Sequence, residues 1–333
     1  MKCRTLGRTN IQLSAVGLGC MGMRESYGPA EEQESLATLH RALDLGMNFW
    51  DTADVYGNGA NEELVSKVLV ENRDKIFIAT KFGFRTRTDP ARPYSGGEGY
   101  IDGSPAYIKQ AVEGSLRRLR IETIDLYYAH RVDPATPVEE TVSAMADLVK
   151  EGKVRHLGLS ECSPESLRRA CAVHPIAALQ NEYSLLTRDI EREMLPLTQE
   201  LGVTLVAFSP LSRGLVTNAL DVSTLEENDF RKHLPRYAGD HWENNRKLAS
   251  EFAGFAAGKN ITPAQLALAW VLAQGENIIP IPGTKRRKYL EDNAAASDVV
   301  LSSKDIEELE HLLSRYPNVG PRYSEQEYRF VNK

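Results

Sequence analysis

The stretch MNFWDTADVYG, residues 47–57, decides the reading of the chain. Its first half carries Met47, Phe49 and Trp50, a bulky apolar run that suits a strand covered on both faces, and Asp51 closes it at the carboxyl end. Tyr56 follows within one short turn. A carboxylate and a phenol at the mouth of one strand can do acid–base chemistry once a third group sets their protonation states. Working outward, the next apolar run (IFIATKF, 76–82) ends on Lys81, and the one after it (IDLYYAH, 124–130) ends on His130. Three successive strands with an ionisable residue at the same end are what a parallel (β/α) barrel with a carboxyl-face active site shows. Side chains alternate along a strand, so Lys81 shares a face with Ala79 and Phe77, and His130 with Tyr128 and Leu126. Pointed into the barrel mouth, Lys81 and His130 meet Asp51 and Tyr56.

The rest of the chain repeats the same unit. Residues 2–16 read as a β-hairpin ahead of the main fold. Strands beginning near 16, 47, 76, 124, 154, 177, 203 and 278 make eight, nearly all separated by a helix. The expected fold is therefore α/β: a (β/α)8 TIM barrel with an N-terminal β-hairpin, large loops at the C-terminal face, and a C-terminal helix and tail. No composition break divides residues 1–333, so one domain is expected. Helix 31–45 is closed by Gly46, helix 61–70 takes Asn61 as its cap with Glu62 and Glu63 in the first turn, and helix 104–119 opens on Ser-Pro. Residues 83–103, rich in Gly, Pro and Arg, are too long for a plain connection and read as a substrate-side loop or a mobile insertion. Residues 211–240 read as irregular and polar.

The segment GLGCMG, 17–22, satisfies G-x-G-x-x-G and follows a strand. A dinucleotide turn opens a helix directly on its glycines. Here Gly28-Pro29 breaks any helix before Ala30, so the expectation is a tight loop whose backbone passes close to a ligand or a neighbour.

The 333 residues carry a formal charge of −6, which argues against phosphate-driven nucleic-acid binding. The four cysteines, Cys3, Cys20, Cys162 and Cys171, show no CxxC pair and no zinc spacing. Reduced thiols and no metal site are expected. The amino terminus lacks an apolar h-region and no apolar run is long enough to span a bilayer, which places the protein in the cytoplasm with no membrane partner.

At the four strand-end residues each role has a plainer counterpart: Asp51 with Lys81 as a structural ion pair, Tyr56 as a packing residue, His130 as a satisfied polar group. Their convergence favours chemistry. A phenol titrates near ~10 alone, and an ammonium beside it is expected to lower that value. Asp51 would hold Lys81 charged, Tyr56 would give a proton to a carbonyl oxygen, and His130 would orient that oxygen.

Residues 47–57, the segment SPAYIKQAVEGSLRRLRIETIDLYYAH (104–130) and IPIPGTKRRKYLEDN (279–293) resemble the aldo-keto reductase superfamily, most closely the bacterial and plant branch with HRVD after the fourth strand, here 130–133. The resemblance covers nearly the whole chain. It implies a (β/α)8 barrel, NADPH/NADP+ as cofactor, and NADP-dependent reduction of aldehydes or ketones, small-molecule carbonyl substrates, to alcohols. It puts the catalytic tetrad on Asp51, Tyr56, Lys81 and His130. It also implies cofactor contacts at Ser160 and Gln180 near the nicotinamide amide, Phe208 stacking on its ring, and Ser209, Leu211 and Gly214 along the pyrophosphate. Further contacts fall on Gly19, Cys20, Met21, Asp51, Pro282, Gly283 and Tyr289, with Asp292 and Asn293 at the adenine. Two positions depart from the pattern: Glu161 stands where many members carry Asn, and Phe208 where many carry Tyr.

The run Lys285, Arg286, Arg287, Lys288 lies at a helix start, where cations oppose the macrodipole and a bound anion reverses the penalty. Lys285, with Arg286, is read as the 2′-phosphate ligand. The substrate pocket is expected to draw on Met23, Val55, Phe84, residues 83–103, Arg131 and the region after 211. Two other classes remain open: a cofactor-binding regulatory or sensor module with little turnover, and an aldolase using Lys81 as a Schiff-base amine, which needs that amine neutral.

Overall fold

In the computed structural model, residues 1–24, 27–86, 99–227 and 229–331 are described. The antiparallel hairpin of β1 (Cys3–Thr5) and β2 (Gln12–Ser14) comes first. The barrel then runs β3 (Leu18–Gly19), α1 (Glu32–Asp44), β4 (Phe49–Asp51), α2 (Ala60–Leu69) and β5 (Phe77–Phe82). A small hairpin of β6 (Phe84–Thr86) and β7 (Gly99–Ile101) stands outside the barrel sheet. The alternation resumes with α3 (Pro105–Leu119), β8 (Ile124–Ala129), α4 (Val138–Lys150), β9 (Val154–Ser160), α5 (Pro164–Val173), β10 (Ile176–Glu182), α6 (Met194–Leu201) and β11 (Thr204–Phe208). Helices α7 (Gly239–Gly258) and α8 (Pro263–Ala273) precede β12 (Ile278–Pro280), and α9 (Arg287–Ala295), α10 (Ser303–Ser314) and the short α11 (Glu325–Tyr328) finish the chain.

The eight strands pair in parallel in the order β3-β4-β5-β8-β9-β10-β11-β12. The seam between first and last closes through the Gly19–Gly283 bridge, with Gly17 N–H donating to Pro280 O at 2.9 Å and Gly19 N–H to Pro282 O at 3.2 Å. A Cβ on Gly19 would stand 2.8 Å from the Ile281 carbonyl, so this position needs glycine for strand closure. That is the office of the GLGCMG segment. Helix α1 begins only at Glu32, as expected of a loop that is not a dinucleotide turn.

Strand alternation sorts the two cores. Phe49, Ala79, Leu126, Tyr128, Ala178, Val206 and Ile279 fill the barrel, and Leu6 and Leu13 of the first hairpin plug its amino end. Trp50, Ile78, Tyr127, Leu157, Leu179 and Leu205 point outward into the helix layer. With even positions outward on β4, Asp51 follows Phe49 into the mouth; on β5 Lys81 follows Ala79, and beyond β8 His130 follows Tyr128. Ser-Pro and Thr-Pro pairs start the helices as their chemistry suggests. Ser104, Ser163 and Thr262 cap α3, α5 and α8, each ahead of a proline in the first turn.

Two local expectations are corrected. Asn61 is no cap: α2 starts at Ala60 after left-handed Gly59, and the Asn61 amide, fully buried, donates to Cys20 O at 2.8 Å and accepts from Thr52 Oγ1 at 2.7 Å. Glu62 is buried too, held by Thr80 Oγ1 at 2.6 Å and Arg118 at 2.7 Å. Among the described residues of 211–240, short 3-10 turns bury Ser212, Arg213, Leu215, Val216, Leu234, Arg236 and Tyr237, so the stretch is less polar in its packing than it reads. Arg213 and Arg236 pair with Glu182 on β10, a partner that the local sequence does not show.

Candidate active site

The carboxyl ends of β4, β5 and β8 bring the four strand-end residues together. After β4 the chain turns sharply through left-handed Gly57 (φ 56°) and Asn58 (φ 51°), folding Tyr56 back over the barrel mouth. Lys81 is fully buried and its ammonium has three acceptors: Asp51 Oδ1 at 2.5 Å, Thr52 O at 2.7 Å and Tyr56 Oη at 3.3 Å. Gln180 donates its amide to Asp51 Oδ2 at 2.8 Å. Three oxygens around one nitrogen suit an ammonium better than the neutral amine a Schiff base needs. The His130 ring stands edge-on to Tyr56 at 5.9 Å and to Phe84 at 4.8 Å, with Nδ1 buried and without a hydrogen-bond partner among the described residues.

Burial governs the protonation states. It raises the Asp51 carboxyl and lowers the Lys81 ammonium, each opposed by the charge of the other. Burial, with Lys81 and Arg131 adding like charge, holds His130 well below its ordinary value, so the imidazole is neutral. Tyr56 departs from expectation. Burial and the nearby Asp51 carboxylate push the phenol well above its ordinary value, against the pull of Arg131. The expected lowering by Lys81 does not win, because sequence shows the neighbour but not the depth. The phenol therefore keeps its proton until a reaction removes it.

The other expected site residues fall into two groups. Ser160 (1 % exposed) ends β9 in register with Gln180 (3 % exposed) of β10, which bonds Asp51, and Phe208 ends β11 half-buried. Ser209 (φ 50°), Ser212, Arg213 and Gly214 (φ 91°) are left-handed, and their turns are tied by Ser212 N to Ser209 O at 2.8 Å and Gly214 N to Leu211 O at 2.9 Å. Gly19, Pro282 and Gly283 form the seam. Cys20 is fully buried, with its N–H on Asp51 O at 2.9 Å and its carbonyl held by Asn61, while Met21 is half-buried in the following turn. In the last group, Tyr289 is exposed, Asn293 is buried, Asp292 lies between, and Arg286 reaches over the Tyr289 ring at 5.9 Å. The Lys285 ammonium donates to the carbonyls of Tyr27, Gly28 and Pro29 at 2.8, 3.0 and 2.6 Å. Arg287 pairs with Glu34.

A buried lysine bonded at once to a carboxylate and a phenol, with an imidazole beside them, lies at the carboxyl end of a closed (β/α)8 barrel, the end at which such barrels carry their active sites. The chain belongs to the aldo/keto reductase family, which it matches over residues 15–314. It is 45 % identical over 320 residues to a probable aldo-keto reductase 1 of Glycine max, covering 96 % of this chain and 90 % of that one. It is 42 % identical over 320 residues to the aldo-keto reductase yakc [NADP(+)] of Schizosaccharomyces pombe, covering 94 % and 92 %. Among solved structures, the glycerol dehydrogenase AKR11B4 of Gluconobacter oxydans superposes with a TM-score of 0.85 at 30 % identity, covering 95 % of this chain and 96 % of that one.

Sequence reasoning missed the tail. Arg322 and Tyr323 are buried, Phe330 stands edge-on to Phe84 at 5.4 Å, and Phe84 in turn packs with Ala53, Val55 and Ile101 beside Tyr56. The tail is thus a wall of the mouth. Glu161, left-handed at φ 51°, turns its carboxylate to Arg322 at 3.0 and 2.5 Å and accepts Glu182 N–H at 2.8 Å. Burial alone would raise that carboxyl, but Arg322 and then Arg131 hold it below the usual carboxylate range. The signal was present in the density of aromatic and Arg residues after Tyr316, and in Glu161 replacing an amide, but nothing local linked positions 161 residues apart. Among the described residues no helix is long and apolar enough to cross a membrane, and no His/Cys/Asp/Glu group could hold a metal ion.

Proposed function

We propose that the protein reduces aldehydes or ketones to alcohols with NADPH as one catalytic barrel domain, Tyr56 giving the proton and Lys81, Asp51 and His130 setting its surroundings. The observation that carries this reading is the Lys81 ammonium bonded at once to Asp51 Oδ1 and Tyr56 Oη. NADPH, when bound, supplies a hydride to the carbonyl carbon. Tyr56 passes its proton to the carbonyl oxygen as negative charge grows there, and the ammonium 3.3 Å away stabilises the phenolate left behind. His130, neutral, donates an N–H to the same oxygen and orients it. Asp51 keeps Lys81 charged and in place.

The residues present fit a nicotinamide cofactor. Ser160 Oγ accepts from Arg131 Nη1 at 3.2 Å, which leaves its own proton to donate to a carboxamide oxygen. Gln180 commits its NH2 to Asp51 and keeps its carbonyl oxygen to accept from the carboxamide NH2. Glu161, turned to Arg322, takes no part. Phe208 offers an aromatic face, and the left-handed turns at 209–214 form the kind of backbone concavity that holds phosphate. Arg286, without an ion pair among the described residues, is the first candidate for the 2′-phosphate; Lys285 would have to release three carbonyls to reach it.

The test is NADPH oxidation over a panel of aldehydes, ketones and quinones, repeated with NADH. Turnover with NADPH, and kcat/KM at least about tenfold lower with NADH, is the expected result. Cofactor binding with no consumption on any carbonyl would leave the sensor reading standing instead.

A further inference from the structure

Arg131, the residue after His130, is a buried cation with no carboxylate at ion-pair distance among the described residues; Glu161, whose carboxyl it helps to hold down, is bonded to Arg322 instead. It is 7 % exposed. Its Nη1 donates to His130 O at 2.6 Å and to Ser160 Oγ at 3.2 Å. Its Nε is buried with no partner, and among the described residues no carboxylate lies within ion-pair distance of the guanidinium. The guanidinium lies 5.6 Å from the centre of the Phe84 ring, which also contacts His130.

The nearby carboxylates are already bonded to other arginines. Glu161 is engaged by Arg322, and Glu182 by Arg213 at 2.8 Å, with Arg322 and Arg236 further out at 3.6 and 3.8 Å. Arg131, Arg213, Arg236 and Arg322 are all buried, against the two buried carboxylates Glu161 and Glu182. An unpaired buried charge is costly, and an anionic ligand is one way such a charge is answered. Arg213 belongs to the turns read above as the pyrophosphate site, and its guanidinium is bonded to Glu182. Arg131 lies against His130, Ser160 and the Phe84 ring.

We infer that Arg131 is a specificity-determining residue that receives a carboxylate on the substrate, so that the preferred substrates are aldehydes or ketones bearing an acid group. This rests on the reductase reading proposed above. Nη1 faces the protein, which leaves the Nε/Nη2 edge of the planar fork, the geometry that takes a carboxylate with two parallel bonds. Phe84, Phe330 and Tyr323 along the same wall suit an apolar or aromatic spacer between carbonyl and carboxylate.

The probes are 4-formylbenzoate and its methyl ester, each with NADPH. In the native enzyme kcat/KM for the acid is expected to exceed that for the ester by about tenfold or more, chiefly through KM. In Arg131→Met the ratio falls to about one or below, and Arg131→Lys restores part of it. Benzoate binding to the NADP+-loaded protein, by calorimetry, should weaken about tenfold or more in Arg131→Met whether or not turnover is seen. An acid-to-ester ratio and a benzoate affinity that are both unchanged at Arg131→Met overturn the inference and leave the reductase reading intact. Failure of the native protein to reduce either aldehyde, with benzoate binding still dependent on Arg131, would overturn the reductase reading and leave an anion site.

Discussion

Tyr56→Phe is expected to lower kcat by about 10²–10⁴-fold while the dissociation constant for NADPH changes little, because the substitution removes one proton donor. The ring remains, so the edge-on contact with His130 at 5.9 Å and the packing beside Val55 and Phe84 persist. What is lost is, among the described residues, the one group at the mouth that both carries a proton, held by burial and the Asp51 charge, and stands 3.3 Å from a cation able to stabilise its conjugate base. His130 cannot replace it, since burial keeps the imidazole neutral and a neutral imidazole N–H is a far weaker acid than a phenol. Rapid-mixing turnover with equilibrium NADPH titration separates the two quantities. Equal losses in both would place Tyr56 in cofactor binding instead.

Lys81→Met should have the second largest effect, on stability as well as on rate. The ammonium is wholly buried, and its removal leaves Asp51, 3 % exposed, with only the Gln180 amide at 2.8 Å to answer its charge. Breaking one side of a buried pair costs about 3–5 kcal/mol. In Asp51→Asn/Lys81→Met the charge goes as well, and most of that stability should return while turnover does not, because the phenolate still lacks its cation. Chemical denaturation of the native, single and double variants reads the cycle. A single variant as stable as the native protein would show that Asp51 is protonated at rest and that the ion pair assigned here is wrong.

The sequence made the barrel legible for a physical reason. Strand parity and helix alternation are local patterns, so Phe49 inward, Trp50 outward and Asp51 inward could be read from MNFWD alone, and the same parity placed Lys81 and His130. Local reasoning failed where depth or a distant partner decides. Asn61 has the chemistry of a cap and sits at a helix start, yet it is buried between Cys20 and Thr52. Tyr56 beside Lys81 looked like an acidified phenol until burial was included. Lys285 looked free for phosphate, although three carbonyls of residues 27–29 surround it, and the Glu161–Arg322 pair joins two places that no periodicity connects.

The most direct measurement follows the hydrogen. With NADPH carrying deuterium at both nicotinamide C4 positions and an aldehyde substrate in ordinary water, the alcohol formed should carry one deuterium on its carbinol carbon. With unlabelled NADPH in heavy water that carbon should carry none, since the solvent-derived atom delivered through Tyr56 goes to oxygen. Solvent deuterium on the carbinol carbon, or alcohol formed without label from the cofactor, would contradict hydride transfer with Tyr56 as the acid.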